Sequence, residues 1–214
     1  MNIFDFLFPP RADEIIVRDI SVDAFLALVA PRLADDTRPA TVVLLSFSNA
    51  SVRATIHEAK YHGNTHAFRL LGSALAEYLR DCDDVGRTTS YIVPVPLGKE
   101  RLKERGFNQV EEIARSALRS FSEEGLCSFS IDSDLLARTR ETISQISLLR
   151  AKREKNMRGA FIVSPKLEER RRIDPACTYI LLDDVLTTGA TLQAAIDALT
   201  HAGAEYIIPL ALAH

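Results

Sequence analysis

Two adjacent carboxylates and three threonine hydroxyls surround one glycine in the stretch Tyr179–Thr191, YILLDDVLTTGAT. Asp183 and Asp184 can accept hydrogen bonds from a pair of sugar hydroxyls. Thr187, Thr188 and Thr191 bring O–H donors, and Gly189 omits a side chain where backbone must come close to a ligand. If Ala190 and Thr191 open a helix, its first N–H groups have no partner within the helix and face an anion ahead of them. The chemistry that suits this order is the holding of a sugar phosphate, with phosphate in the turn and sugar on the acids. It is not a Walker A loop, since no Gly-Lys-Ser/Thr follows at the needed spacing, and no G-x-G-x-x-G occurs. Asp-Asp pairs and Thr-Thr-Gly turns are each common, and a plain reading is a strand, an acidic turn and a helix cap. The three in this order make that plain reading the weaker one.

These groups need a scaffold. Tyr179–Leu182 is an apolar run of the kind buried on both faces of a parallel sheet. Asp183 and Asp184 are then expected where the strand ends, at the sheet edge where ligands of open α/β sheets bind. Adjacent side chains on a strand point oppositely, so the strand must already be turning if both acids are to meet one ligand. A helix Leu192–Ala202, a Gly203 stop and a last strand Tyr206–Leu212 are expected to follow.

A second constellation is Val93–Gln109, VPVPLGKERLKERGFNQ. The run Tyr91–Pro96 reads as a strand ending in a rigid proline turn. Leu97, Gly98 and Lys99 make a tight turn at the same sheet edge, where backbone N–H groups can reach a pyrophosphate. Arg101 and Arg105 are further phosphate candidates, because guanidinium binds phosphate bidentately. Glu100, Lys103 and Glu104 read as a solvated, charge-paired surface, and the segment as a charged loop. Asn108 or Gln109 opens a helix with Val110, Ile113, Ala114, Ala117 and Phe121 inward.

A third stretch is basic. From Arg138 to Arg158, Arg138, Arg140, Arg150, Lys152, Arg153, Lys155 and Arg158 outnumber Glu141 and Glu154. A positive loop of this kind suits closure over a polyanionic substrate, or contact with a nucleic-acid backbone. It has no aromatic residue for base stacking before Phe161. A solvated helix face is an equal reading for any single residue.

The other elements follow from pattern. A short helix is expected at Val22–Val29, and short strands at Thr41–Phe47, Leu135–Leu136 and Ala160–Val163. Ser51–Tyr61 has helical spacing, and a second helix through Leu79 is expected with Thr65 as its cap. The alternation points to a parallel α/β sheet. With 214 residues, one domain with a small appended part is expected: a segment 1–50 acting as a hood, and a main domain 51–214. A chain this long buries roughly 70–75% of its unfolded surface.

Net charge is −3, which gives no global case for nucleic-acid binding. Cys82, Cys127 and Cys177 are scattered, so neither a disulfide framework nor a structural zinc site is expected, and a reducing compartment fits. No run is long enough for a membrane span. The opening MNIFDFLFPPR lacks a basic start and is a poor signal peptide, so a cytoplasmic location is expected.

The phosphate turn resembles the phosphoribosyl-pyrophosphate motif of type I phosphoribosyltransferases: four apolar residues, two acids, then Val-x-Thr-Thr-Gly-x-Thr. Four stretches together resemble the ComF family, named for competence protein F. They are AKYHGN (Ala59–Asn64), VPVPLGKERLKERGFNQ, RTRETISQISLLRAKREKNMRGAF (Arg138–Phe161) and ILLDDVLTTGAT (Ile180–Thr191). The opening LFPP (Leu7–Pro10) is also similar to that family's start. Members usually continue into a four-cysteine zinc module; here residues 11–50 contain no cysteine, so no zinc is expected.

The resemblance implies a type I phosphoribosyltransferase fold, transfer of ribose 5-phosphate from phosphoribosyl pyrophosphate to an unidentified acceptor, and Mg²⁺ carried with phosphoribosyl pyrophosphate rather than held by protein ligands alone. Asp183 and Asp184 would engage the ribose, Thr187–Thr191 the 5-phosphate, and Gly98 and Lys99 the pyrophosphate. Lys60, Tyr61, Asn108, Gln109, Arg150 and Arg153 are candidates for the acceptor side or a closing loop. For some members the family implies a part in DNA uptake, so single-stranded DNA or the uptake machinery stands as the alternative partner. The last strand ends just before His214, so a cover over the site is expected from residues 1–50, Lys60–Asn64 or the basic loop.

Overall fold

Helices and strands alternate along most of the chain: α1 (Ala12–Asp19), α2 (Val22–Leu26), β1 (Arg32–Ala34), β2 (Thr41–Leu45), α3 (Ala50–His62), α4 (Thr65–Arg80), β3 (Ser90–Pro94), α5 (Lys99–Arg105), α6 (Gln109–Glu123), β4 (Phe129–Ile131), β5 (Leu136–Arg138), β6 (Phe161–Val163), β7 (Thr178–Val185), α7 (Ala190–His201) and β8 (Tyr206–Ala213). The structure, a computed structural model, describes residues 10–81, 89–123, 129–139, 157, 159–164 and 173–214.

Six strands form one sheet in the order β1-β2-β8-β7-β3-β4. Every neighbouring pair is parallel except β1 with β2. The protein is therefore mixed α/β with a mostly parallel central sheet. β5 and β6, expected from short apolar runs, pair only with each other, antiparallel. The segment 1–50, expected as a hood, contributes β1 and β2 to the sheet, and Val17 and Phe25 to the core.

The alternation of side chains along β7 divides the core in two. Ile180 and Leu182 face one cluster, with Ile56, Leu71, Leu75 and Ile113 from α3, α4 and α6. Tyr179 and Leu181 face another, with Leu192, Ile196 and Leu199 from α7 and Leu136 and Phe161 from the small hairpin. Both faces are covered, which is why the strand is almost continuously apolar. Each fully buried Leu or Ile here contributes about 1.5–3 kcal/mol relative to exposure.

Local chemistry sets the helix boundaries around the site. The Asn49 side chain accepts from the Ser51 and Val52 N–H groups at the start of α3. Asn64, rather than Thr65, caps α4, accepting from His66 and Ala67 N–H. An Asx cap satisfies otherwise orphaned donors and contributes about 1 kcal/mol. The segment expected as a charged loop, KERLKER, is helix α5; it has no buried residue, so no apolar stripe announced it. Where α4 crosses α6, a Cβ on Gly72 would lie 2.7 Å from the Ser116 Cβ, so the close approach requires glycine. Among the described residues, no helix is long and apolar enough to cross a membrane.

Candidate functional site

The acids lie within the last residues of β7, not beyond it, because the strand continues through Val185. The chain does not turn at the pair, so the two side chains leave on opposite faces. Asp183 follows Tyr179 and Leu181 and lines a small concavity with Thr187, Gly189, Ala190 and Thr191. Asp184 follows Ile180 and Leu182 to the other face, toward α3 and α6.

The turn that completes the concavity is accessible at its hydroxyls: Thr187 is exposed, and Thr188 and Thr191 are half-buried. Gly189 has φ 71°, in the left-handed region, and serves as the N-cap of α7. No side chain caps that helix, in contrast to the Asn-capped α3 and α4. The leading N–H groups of α7 therefore have no side-chain acceptor from the cap, at the positive end of a twelve-residue helix.

The pattern suggests that Gly189 makes room for a ligand; the structure shows that it makes room for the β1–β2 loop. A Cβ there would lie 2.5 Å from the Asp36 carbonyl oxygen and 2.9 Å from the Thr37 methyl. That loop is tied to α7 a second time. The Arg38 N–H donates to Gln193 Oε1 at 2.7 Å, and Gln193 Nε2 donates to the Arg38 carbonyl at 3.4 Å. Asp36, Arg38 and Gln193 carry no motif that could have announced this contact.

Asp183 is half-buried, and its Oδ1 accepts the Asp184 N–H at 2.9 Å. Burial, and after it the adjacent Asp184 carboxylate, push its pKa up to about 7; the backbone bond, Lys60 and Arg138 act in the opposite direction. A carboxyl group poised near neutrality beside a hydroxyl-rich turn can accept a proton or a hydrogen bond from a ligand.

Asp184 is buried and surrounded by donors. Its Oδ2 accepts from Gln109 Nε2 at 2.6 Å and pairs with Lys60 Nζ at 3.0 Å. Its Oδ1 accepts the Val185 N–H at 2.7 Å. Gln109 Oε1 in turn accepts from the Arg105 guanidinium at 2.9 Å, and that guanidinium lies over the Tyr61 ring, 4.9 Å from its centre. Lys60, Tyr61, Arg105 and Gln109 are thus brought together, but on the Asp184 face. Arg105, expected at a phosphate, is engaged with Gln109 and Tyr61.

The second turn lies beside the first. Pro94 is opposite Leu182, and the Val95 N–H donates to the Leu182 carbonyl at 2.9 Å. Leu97, Gly98 and Lys99 follow at this edge; Gly98 is buried and Lys99 exposed. Gly98 has φ −63° and ψ 151°, an extended conformation open to any residue. Asn108 holds the returning chain, donating from Nδ2 to the Val95 carbonyl at 3.1 Å and accepting the Val110 N–H at Oδ1. Arg101 is half-buried on α5. Arg150 and Arg153, with most of the basic segment, lie outside the described residues. Among the described residues, no group of three or more His, Cys, Asp and Glu is placed to hold a metal ion.

No protein-family model matches the chain, and no curated protein matches it.

Proposed function

We propose that the chain is a type I phosphoribosyltransferase that binds phosphoribosyl pyrophosphate and transfers its ribose 5-phosphate to a nucleophilic acceptor. The observation that carries this reading is the meeting of Asp183 with the Thr187–Thr191 turn in one small concavity, at the carboxyl end of a parallel strand. The 5-phosphate would take the threonine hydroxyls and the leading N–H groups of α7. The ribose hydroxyls would lie toward Asp183. The pyrophosphate would extend to the neighbouring Leu97–Lys99 turn, one strand away across the sheet edge.

The donor set fits an ion carried by the substrate better than one caged by protein. Both oxygens of Asp184 already accept protein donors, which leaves Asp183 as the open carboxylate of the pair. Mg²⁺ would come with the substrate rather than be held by this chain, and it would supply positive charge against the pyrophosphate. As the leaving group departs, positive charge develops on the ribose, and the chain's contribution is orientation plus the nearby carboxylate charge.

Titration calorimetry with phosphoribosyl pyrophosphate and Mg²⁺ tests the reading. The expected result is saturable binding that Asp183→Asn weakens. Absence of binding at millimolar ligand removes the proposal.

A further inference from the structure

We propose that the adjacent acids divide the work: Asp183 alone meets the bound sugar, and Asp184 is a positioning residue clamped from the opposite face of the sheet by Lys60 and Gln109. The inference rests on the reading that the concavity takes a phosphoribosyl group.

The strand decides the division. Because β7 stays extended through Val185, residues 183 and 184 cannot both point into the concavity. Asp183 lines it; Asp184 is buried, with its side chain 9% exposed, and meets Lys60 of α3 and Gln109 of α6. Gln109 is itself 3% exposed, so its amide bond to Asp184 is shielded from water.

The amide orientation is fixed by charge. A guanidinium only donates, so Arg105 requires the oxygen of Gln109 and turns the NH₂ group toward Asp184. The contacts form a ring: Lys60 to Asp184, Asp184 to Gln109, Gln109 to Arg105, Arg105 over Tyr61, and Tyr61 beside Lys60 in sequence. Such a ring suits the fixing of a strand end better than the accepting of a ligand. The charge balance agrees. Lys60 lies against Asp184 at 3.0 Å, while the charged groups around Asp183 are Asp184 of its own strand, Lys60 of α3 and Arg138 of β5.

Two measurements test the division, and only the second depends on the sugar-phosphate reading. The first follows the aspartate carboxyl carbons by ¹³C NMR through a pH titration of the ligand-free chain. Wild type should show a carboxyl group titrating near neutrality that vanishes in Asp183→Asn. In Lys60→Met it should titrate at higher pH, because a nearby positive charge has gone. In the double variant Lys60→Met/Asp184→Asn, which leaves no unpaired buried charge, it should persist. A near-neutral group that survives Asp183→Asn and disappears in the double variant overturns the proposal, whether or not any ligand binds.

The second measurement is the affinity for phosphoribosyl pyrophosphate with Mg²⁺. Asp183→Asn should weaken it about tenfold or more, as expected for losing a charged acceptor. The double variant should weaken it by less than Asp183→Asn does. The reverse ranking overturns the division. A wild-type chain that titrates as described yet binds no phosphoribosyl pyrophosphate upholds the separation of the two carboxyls and removes only the reading of the ligand.

Discussion

Two glycine turns lie side by side at the same edge of the sheet, one after β7 and one after β3, and they are built differently. The first ends in Gly189 at φ 71° and opens α7, whose Leu192, Ala195, Ile196 and Leu199 are buried. It is braced from outside by the β1–β2 loop. The second ends in Gly98 in an ordinary extended conformation and opens a seven-residue helix with no buried residue. Its tie to the sheet includes the bond from Asn108 to the Val95 carbonyl. The comparison sets a turn braced by a buried helix and a neighbouring loop, expected to be rigid, against one that opens a surface helix, expected to be compliant.

The largest expected effect tests the rigidity of the first turn. Gly189→Val combines a left-handed backbone with a collision against the Asp36 carbonyl, and should cost about 2–4 kcal/mol in urea denaturation. Gly98→Ala needs no unusual backbone angle and should cost less than Gly189→Val. Equal losses would erase the contrast between the turns.

The next effect is a pH dependence. The Asp183 proton is held more tightly in the folded chain, with its pKa raised from the ordinary 3.8 to about 7. Between these values the folded state binds the extra proton. The stability from this group is therefore present in full below the unfolded value and is lost as pH rises through 7. Urea midpoints measured from pH 4.5 to 8 should fall more in wild type than in Asp183→Asn. Parallel curves would show that the first turn is not coupled to this proton.

Smaller still is the brace itself. Gln193→Ala removes both bonds to Arg38 and should cost about 1 kcal/mol, with faster hydrogen exchange at the Arg38 amide as the local readout. Unchanged exchange would mean that the Asp36 contact alone holds the loop. The smallest effect belongs to the second turn. Lys99 is exposed, so Lys99→Met should weaken pyrophosphate binding only a few-fold, about 1 kcal/mol or less, and the loss should fade in high salt. A large, salt-independent loss would move the second turn into the rigid class.

What the sequence revealed follows the same divide between local and distant causes. α3, α4, α6, β7 and β8 are legible because each carries its own apolar periodicity or run. α5 is not, because Leu102 is 45% exposed and the remaining residues are charged. The Asn64 cap was one residue from the expected one, since Asn and Thr can both serve. The place of β2 inside the sheet was hidden, because its pairing of Val42 with Leu210 spans most of the chain. Gly189 was recognised as a close-approach position, but the approaching atom belongs to Asp36, which has no signature of its own. Asp183 and Asp184 were recognised as a pair; only the continued strand shows that they face apart.

The position of β8 between β2 and β7 has a consequence for how the molecule comes together. Until residues 206–213 are in place, β2 and β7 each lack a neighbour, and both present open hydrogen-bonding edges. Closing such a distant pairing is slow, and unpaired edges invite association with other chains. A nascent or proteolysed chain lacking β8 should therefore be prone to self-association, even though the acids and the threonine turn are already present in it.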